Sequence, residues 1–323
     1  MPVVPSLYKP PYLFRNNHFS TIYPNLIRKV KGVVHDRERV ELIDDDFIDL
    51  DWSYAIDQNC SDLTIVIHGL EGNAQRHYML GLIKQLNQSN RNVAAINLRN
   101  CSGEVNRQYK SYHAGASDDL DAIIQHILQK YSYTSITLVG FSLGGNLMLK
   151  YLGEKRLIPS QVMAAVAISV PCDLYNSLSE INKPHNYIYQ KRFLTNLKAK
   201  LLERQKVFSD NINKEEINAC RSLIDIDNLY TSVAHGYQDA IDYYTKCSSL
   251  QFLQNINIPT LILNAKNDSF LGESCYPIEK AEKNPNLFLE MPDYGGHVGF
   301  YLSGESYYSE YRTIDFLETY NSI

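Results

Sequence analysis

The amino-acid sequence predicts an α/β fold: a mostly parallel sheet with helices on both faces and a helical cap insertion. Three features support this prediction. Short apolar runs that suit buried strands alternate with segments of helical spacing along most of the 323 residues. A serine flanked by glycines separates one such strand from the next helix. A polar segment without strand signals, residues 172–255, interrupts the alternation.

The predicted strands are apolar or alternate in character. Leu63–Ile67 is uniformly apolar, as a strand buried on both faces should be. Val33–Ile43 and Phe47–Tyr54 alternate, and a turn at Asp44–Asp46 joins them. The remaining predicted strands are Val93–Leu98, Ile136–Val139, Val162–Val170, Thr260–Leu263 and Leu287–Met291.

Segments of helical spacing lie between these strands. Asp118–Gln129 has acidic residues in its first turn, where the helix dipole favours them. The other predicted helical segments are Tyr78–Leu86, Leu147–Leu152, Ile278–Lys283 and Glu305–Thr319. This order of strands and helices indicates parallel strands joined by helical crossovers.

The same patterns divide the chain into three parts. We expect an N-terminal arm over residues 1–30, a core over 31–171 and 256–323, and a helical cap over 172–255. The arm is rich in Pro, Tyr and basic residues, and it should lie on the domain surface with a short helical turn near Ile27. The insertion follows a predicted strand, so we expect it above the carboxyl ends of the strands.

Charge and cysteine usage exclude several classes of protein. The net charge of −5 gives no electrostatic reason to expect a nucleic-acid partner. The six cysteines are scattered without a C-x-x-C pair, so we expect neither a zinc site nor a disulfide framework. This cysteine usage fits a reducing compartment, and we expect a cytoplasmic location. The first residues do not resemble a secretory signal, and no H-E-x-x-H, Walker or dinucleotide glycine motif occurs. We therefore expect neither a metal nor a cofactor. The sequence carries no signal for a particular oligomeric state.

Ser142 is the candidate nucleophile. It lies in the segment Val139–Asn146, after an apolar strand and before a helix. A G-x-S-x-G turn in this context holds the serine in a strained backbone conformation and exposes its hydroxyl at the top of the sheet. Taken alone, the motif is equally compatible with a glycine-rich turn that has no catalytic role.

A serine hydroxyl needs a base, and the base needs an acid that orients it. His297 fits the base because it lies in a glycine-rich loop directly after the strand Leu287–Met291. Asp268 fits the acid because a short polar turn separates it from the strand Thr260–Leu263. The order serine, acid, histidine is the one that this kind of strand–serine–helix fold uses.

Other residues could be mistaken for parts of the site. Asp239 and Asp242 are weaker candidates for the acid because they lie in a helical segment of the cap. His113 is another candidate for the base, because it precedes a predicted helix near the carboxyl ends of the strands. We favour a structural role for it. Cys101 has no paired base in the local sequence, so we expect it to be a packing residue.

The negative oxygen formed during acyl transfer requires hydrogen-bond donors. We expect the backbone N–H of Leu143, at a helix N-terminus, to pair with that of Leu70 in the loop after Leu63–Ile67. His68 should be a buried organiser of this loop. The carboxylate of Glu71 would repel the developing charge, so its side chain should point away into a salt bridge or hydrogen bonds.

A basic amphipathic helix is predicted over Lys191–Lys206 in the cap. A helix of this kind can make weak contact with an anionic membrane surface. The alternative is that its apolar face packs on the core while the lysines are solvated. That face contains Phe193, Leu194, Leu197, Leu201 and Leu202.

Several motifs together resemble those of the α/β-hydrolase superfamily. The resemblance is greatest to the branch of YheT-type hydrolases and abhydrolase-domain esterases, and it extends over nearly the whole chain. Asn100 stands where this branch usually has glycine, and asparagine tolerates a left-handed backbone. Besides the GFSLGGN turn, the matching segments are KPPY (9–12), RNNH (15–18), HGLEG (68–72), RNCSGE (99–104), YHAG (112–115), SVPCDL (169–174), AHGY (234–237), DYY (242–244) and GGHVG (295–299).

The resemblance implies an α/β-hydrolase fold and a charge-relay triad at Ser142, Asp268 and His297. It implies hydrolysis of carboxylic esters through an acyl-enzyme, with short- to medium-chain acyl esters or lipid acyl groups as substrates. Two alternatives remain open at this point. One is an acyltransferase that uses the same triad, and the other is a non-catalytic binding member of the fold.

Overall fold

Nine strands form one sheet in a computed structural model that describes residues 3–57 and 59–320. In chain order the strands are β1 (Val3–Val4), β2 (Asp36–Glu41), β3 (Phe47–Ser53), β4 (Asp62–Ile67), β5 (Asn92–Asn97), β6 (Ser135–Phe141), β7 (Val162–Ile168), β8 (Thr260–Leu263) and β9 (Leu287–Glu290). Across the sheet their order is β1-β9-β8-β7-β6-β4-β5-β3-β2. Every neighbouring pair from β1 to β5 in this order is parallel, and the pairs β5–β3 and β3–β2 are antiparallel.

Helices connect the strands and form the cap. In chain order they are α1 (Asn17–Ile27), α2 (His77–Gln88), α3 (Ser117–Lys130), α4 (Leu143–Gly153), α5 (Leu174–Ile181), α6 (Tyr187–Val207), α7 (Lys214–Ala219), α8 (Leu223–Ile226), α9 (Ser232–His235), α10 (Ala240–Cys247), α11 (Ile278–Lys283) and α12 (Tyr308–Tyr320). A π-helical turn, Asp227–Thr231, separates α8 from α9.

The core has two halves because successive side chains of a strand point to opposite faces of the sheet. Ile65 and Ile67 pack with residues of α3 and α4 on one face. Val66 packs with residues of α2 and α12 on the other face. Helices on both faces of a mostly parallel sheet confirm the fold class that the sequence predicted.

Most predicted elements agree with the structure to within a few residues. The prediction was less accurate at two places. The strand predicted from Val33 begins at Asp36, and the helix predicted from Glu305 begins at Tyr308. Both errors lie at the ends of elements, where local pattern is weakest.

The N-terminal arm is more ordered than its sequence indicated. Val3 and Val4 form an edge strand that pairs in parallel with Leu289 and Glu290. An 11-residue helix, α1, replaces the expected short turn near Ile27. The predicted short helical turn near Ile27 is therefore the end of a longer helix. A two-residue strand has no periodicity, and its formation depends on the exposed edge of β9.

Residues 172–255 contain helices and turns but no strand. The apolar face of α6 is turned inward: Phe193, Leu194 and Leu197 pack on the core, and Leu201 is buried. The packing of this face on the core is the alternative interpretation of the helix. Within residues 3–57 and 59–320, no helix is both long and apolar enough to cross a bilayer.

A buried arginine at the end of β5 ties three segments together. The guanidinium of Arg99 lies 2.9 Å from both Asp44 and Asp46, in the β2–β3 turn, and 2.8 Å from Asp119 in α3. Asp46 is fully buried. A buried carboxylate depends on its cationic partner, because an unpaired charge in the interior is costly.

We expect Arg99→Ala to lower the free energy of unfolding by about 3–5 kcal/mol, because it leaves the buried Asp46 carboxylate without its cation. Urea denaturation followed by circular dichroism measures this change. Arg107→Ala is the control, since Arg107 pairs with Glu41 at the surface and its loss should change the free energy of unfolding much less. Equal effects of the two substitutions would contradict the assignment of Arg99 as a buried structural cation.

Candidate active site

Ser142 occupies a sharp turn between β6 and α4. Its φ angle is 50°, in the left-handed region that favours glycine. A Cβ on Gly140 would lie 2.6 Å from the carbonyl oxygen of Gly144, and a Cβ on Gly144 would lie 2.5 Å from that of His68. Both approaches are shorter than real Cβ contacts. The turn therefore requires glycine at both positions, which explains why the serine is flanked as it is.

Three side chains that are far apart in the sequence form one hydrogen-bonded chain. His297 Nε2 lies 3.0 Å from Ser142 Oγ, and His297 Nδ1 lies 2.8 Å from Asp268 Oδ2. An ionised carboxylate only accepts hydrogen bonds, so Nδ1 carries the proton and Nε2 is free to accept the serine proton. This is the arrangement of a nucleophile, a general base and an orienting acid.

Asp268 lies beyond β8, at the carboxyl edge of the sheet, and its side chain is fully buried. Its second oxygen, Oδ1, accepts a hydrogen bond of 2.9 Å from the backbone N–H of Phe270. The ring of Phe270 packs on the imidazole of His297 at a centroid distance of 4.4 Å. Burial and these contacts restrict both side chains to the geometry that faces Ser142.

The His297 loop is held at three successive backbone N–H groups. Gly296 donates to Asn267 Oδ1 at 3.0 Å, His297 donates to Thr21 Oγ1 at 2.9 Å, and Val298 donates to Ser169 Oγ at 2.9 Å. Val298 has a φ of 60°. Such a loop conformation persists only where the surroundings enforce it.

The sequence analysis did not anticipate Thr21, Asn267 and Ser169 as part of the site. Glycines at 295, 296 and 299 indicated that the loop approaches other backbone closely. They did not indicate which backbone. In the structure the partner is α1: a Cβ on Gly296 would lie 2.6 Å from the carbonyl oxygen of Asn17. The N-terminal arm therefore forms one wall against which the base is positioned.

The loop after β4 runs beside Ser142. A Cβ on Gly69 would lie 3.1 Å from the Cβ of Ser142. The N–H groups of Gly69 and Glu71 donate to the hydroxyls of Tyr78 and Tyr112, at 3.2 and 2.9 Å. Between them, the Leu70 N–H has no hydrogen-bond partner among residues 3–57 and 59–320. The loop is thus fixed on both sides of one unused donor.

Leu143 is the first residue of α4 and borders the same cavity as Leu70 and Ser142. Its N–H also has no partner in the part of the chain that the structure describes. First-turn N–H groups of a helix point toward its positive end, where they favour an anion. The two predicted donors are therefore free and lie around the serine.

The competing candidates are engaged elsewhere. His68 is fully buried and accepts a hydrogen bond from the Leu98 N–H at 3.2 Å, and its burial lowers its pKa to about 3. It is therefore a neutral organiser of the loop. Burial raises the pKa of the Cys101 thiol to about 11, so it is not a thiolate nucleophile. Asp239 caps α10 by accepting from the Asp242 N–H at 2.8 Å.

Burial also lowers the pKa of His113 well below its usual value. Its Nδ1 accepts a hydrogen bond of 3.2 Å from the Gly115 N–H, so it has the structural role that we favoured. Asn100 has a φ of 63°, the left-handed conformation that asparagine tolerates. Among the described residues, no group of three or more His, Cys, Asp or Glu side chains is arranged to hold a metal ion.

Two cavities meet at Ser142 and His297. The first, which we call the apolar arm, has a volume of about 160 Å³ and lies beneath the cap. Its apolar lining includes Leu174, Leu178, Phe193, Leu197, Leu201 and Leu223. The second, which we call the α1 arm, opens between α1 and α6, and its lining mixes apolar residues such as Ile22 and Leu26 with polar ones such as Arg76 and Arg192.

Comparison with known proteins agrees with this geometry. A family model described as the α/β hydrolase fold matches residues 64–216. A protein of Escherichia coli (strain K12) named "Putative esterase YheT" is 34% identical over 313 residues, which cover 95% of this chain and 92% of that protein. The chain belongs to the α/β-hydrolase superfamily. Within it, the chain is a member of the YheT-type abhydrolase-domain branch.

More distant relatives and solved structures agree with this assignment. Mouse "Phospholipase ABHD3" is 29% identical over 306 residues, 93% of this chain and 74% of that protein. The structure of the Pyrococcus furiosus esterase Pf2001 superposes with a TM-score of 0.58 at 17% identity, over 91% of this chain and 98% of that one. At that identity the structural match supports the fold. The family and the relatives named esterase and phospholipase together identify this α/β hydrolase as a carboxylic ester hydrolase.

We expect Thr21→Val to lower kcat by about 10- to 100-fold with KM little changed, because it removes the hydroxyl that accepts from the His297 backbone N–H. A displacement of about 1 Å at a catalytic group reduces the rate by this much. Steady-state kinetics on a p-nitrophenyl ester measure both constants. The matched control is Thr319→Val. Like Thr21, Thr319 donates to the carbonyl four residues earlier, but it lies on the exposed face of α12. Wild-type kcat in Thr21→Val would show that α1 does not position the base.

Proposed function

We propose that this hydrolase cleaves carboxylic esters by a Ser142–His297–Asp268 triad through an acyl-enzyme. The observation that carries the proposal is the hydrogen-bonded chain from Asp268 through His297 to Ser142, with bonds of 2.8 and 3.0 Å. The positive φ of Ser142 and the two free N–H groups of Leu70 and Leu143 support it. No cofactor takes part in this chemistry.

In the acylation step, Ser142 Oγ bonds to the ester carbonyl carbon while His297 Nε2 takes the hydroxyl proton. The carbonyl oxygen becomes negative and accepts hydrogen bonds from the Leu70 and Leu143 N–H groups. When the tetrahedral intermediate collapses, the bond to the leaving oxygen breaks and His297 gives its proton to the departing alcohol. Asp268 stabilises the imidazolium in the meantime.

In the deacylation step, water takes the place of the alcohol. His297 Nε2 accepts a proton from water, whose oxygen bonds to the acyl carbon. The bond to Ser142 Oγ then breaks, and the serine regains its proton from His297. The products are a carboxylic acid and the free enzyme.

The apolar arm suits the acyl group of the substrate. A cavity of about 160 Å³ is close to the size that accommodates benzene in an apolar protein interior. This size favours short- to medium-chain acyl groups. Relatives named "Phospholipase ABHD3" and "Monoacylglycerol lipase ABHD2" support small esters or the acyl groups of lipids as substrates. The α1 arm is then left for the alcohol part.

We expect Ser142→Ala to reduce turnover of p-nitrophenyl butyrate by at least about 10⁴-fold, because losing the nucleophile leaves only binding and oxyanion contacts. A fluorophosphonate probe should label the wild-type protein and fail to label the variant. Ser179→Ala is the control, since that hydroxyl only donates to the Tyr175 carbonyl on the exposed side of α5. Full activity in Ser142→Ala would mean that another residue is the nucleophile.

We expect Leu197→Ala to shift the acyl-chain preference toward longer chains, because it enlarges the apolar arm. The ratio of kcat/KM for decanoate to that for butyrate esters should rise by about tenfold, as one or two methylene groups are worth this much in an apolar pocket. A panel of p-nitrophenyl esters measures the ratio. Leu157→Ala, at a side chain that is 93% exposed, is the control. An unchanged ratio would place the acyl group elsewhere.

A further inference from the structure

Glu71 is an unexpected neighbour for an oxyanion site. It directly follows Leu70 in the loop after β4, and it borders the same cavity as Ser142. Its backbone has a φ of 56°, a conformation that normally favours glycine. An unneutralised carboxylate here would oppose the negative charge that develops on the substrate oxygen.

Two side chains hold the Glu71 carboxylate. Its Oε1 accepts a hydrogen bond of 2.8 Å from the Tyr112 hydroxyl, and it lies 3.1 Å from Lys200 Nζ. The glutamate side chain is 5% exposed and that of Lys200 is 33% exposed, so this ion pair is largely shielded from water. The expectation that Glu71 points into a salt bridge and hydrogen bonds is confirmed.

Lys200 belongs to α6, in the cap, whereas Glu71 belongs to the core. Lys200 Nζ also lies 3.4 Å from the sulfur of Cys101 and 5.5 Å from the centre of the Tyr112 ring. The lysine is thus inserted among residues that surround the oxyanion loop. The Tyr112 hydroxyl, besides donating to the Glu71 carboxylate, accepts from the Glu71 N–H.

We propose that Lys200 is a positioning residue of the oxyanion loop: it neutralises Glu71 and, through it, fixes the Leu70 N–H for the reaction. This inference rests on the function proposed above. Because the ammonium comes from the cap, neutralisation of Glu71 requires the packing of α6 on the core. The cap therefore contributes to the chemical step as well as to substrate binding.

Removing the ammonium has two consequences. The carboxylate of Glu71 is left in a largely buried position with one hydroxyl donor, which is unfavourable. The side chain then moves toward water and carries the adjacent Leu70 N–H with it, or stays and repels the developing oxyanion. Both consequences act on the transition state more than on the bound ester, so kcat should fall more than KM rises.

The first test is Lys200→Met in the full chain, which keeps the aliphatic stem and removes the charge. We expect kcat on p-nitrophenyl butyrate to fall by about tenfold or more, since complete loss of one oxyanion donor costs about 10²–10³-fold. KM should change by less than about twofold. Lys206→Met is the matched control on the same helix, because Lys206 pairs with Glu203 at the surface, and it should keep wild-type kcat.

A double-mutant cycle with Glu71→Gln separates positioning from a general structural effect. Glutamine keeps an acceptor for Tyr112 but loses the ion pair, so Glu71→Gln alone should lower kcat by no more than Lys200→Met does. In that background, Lys200→Met should cost less than about threefold. A full tenfold loss in both backgrounds would overturn the proposal, since Lys200 would then act independently of Glu71.

Tyr112→Phe provides a second test if Lys200→Met does not fold. It removes the hydroxyl that contacts both the backbone N–H and the carboxylate of Glu71. It should also lower kcat more than it changes KM. Wild-type kcat in a folded Lys200→Met would overturn the inference, and so would wild-type kcat in Tyr112→Phe where Lys200→Met does not fold. That result is distinguishable from failure of the proposed function, which would appear as retained activity in Ser142→Ala.

Discussion

Ser142 has a φ of 50°, a conformation that a serine keeps only when packing on both sides enforces it. The enforcement comes from glycines that let β6, α4 and the loop after β4 approach more closely than side chains would permit. Gly144 lies against the carbonyl oxygens of Ile67 and His68, and Gly69 lies against Ser142 itself. The same close packing that strains the serine also places the loop that carries Leu70 beside it. In the proposed mechanism, one turn therefore supplies both the nucleophile and the oxyanion donors.

The base reaches this turn because the parallel strands end at a common edge of the sheet. β6, β8 and β9 deliver Ser142, Asp268 and His297 to that edge from positions far apart in the sequence. The His297 loop is irregular, and its backbone is fixed by Thr21, Asn267 and Ser169 from three different segments. A loop with so many positive φ angles would not hold a defined geometry by itself. The N-terminal helix is thus part of the machinery that places the imidazole.

The cap contributes to the site mainly through one long helix, α6. Its apolar side chains line the arm that suits an acyl group, and its Lys200 reaches the oxyanion loop. Farther along the same helix, buried Arg204 donates to the Asn100 side chain at 2.6 Å and to the carbonyl oxygen of Gln108 at 2.7 Å. These contacts join the cap to the core next to the site. The helix that lines the apolar arm therefore also contacts the loop after β4.

The fold class, the nucleophile turn and the candidates for base and acid are all predictable from the amino-acid sequence. Each of these depends on local pattern: apolar runs specify buried strands, and glycines around Ser142 and His297 specify close backbone approach. Even the withdrawal of Glu71 into an ion pair could be predicted, because a carboxylate beside an oxyanion site must be neutralised. The partners of these groups follow from the packing of distant segments. Val3–Val4 forms a strand because β9 offers an edge, Thr21 matters because α1 packs on the His297 loop, and Lys200 pairs with Glu71 because the cap folds over the core. Local pattern shows that a group must be buried or paired, whereas which distant group meets it depends on the packing of the whole chain.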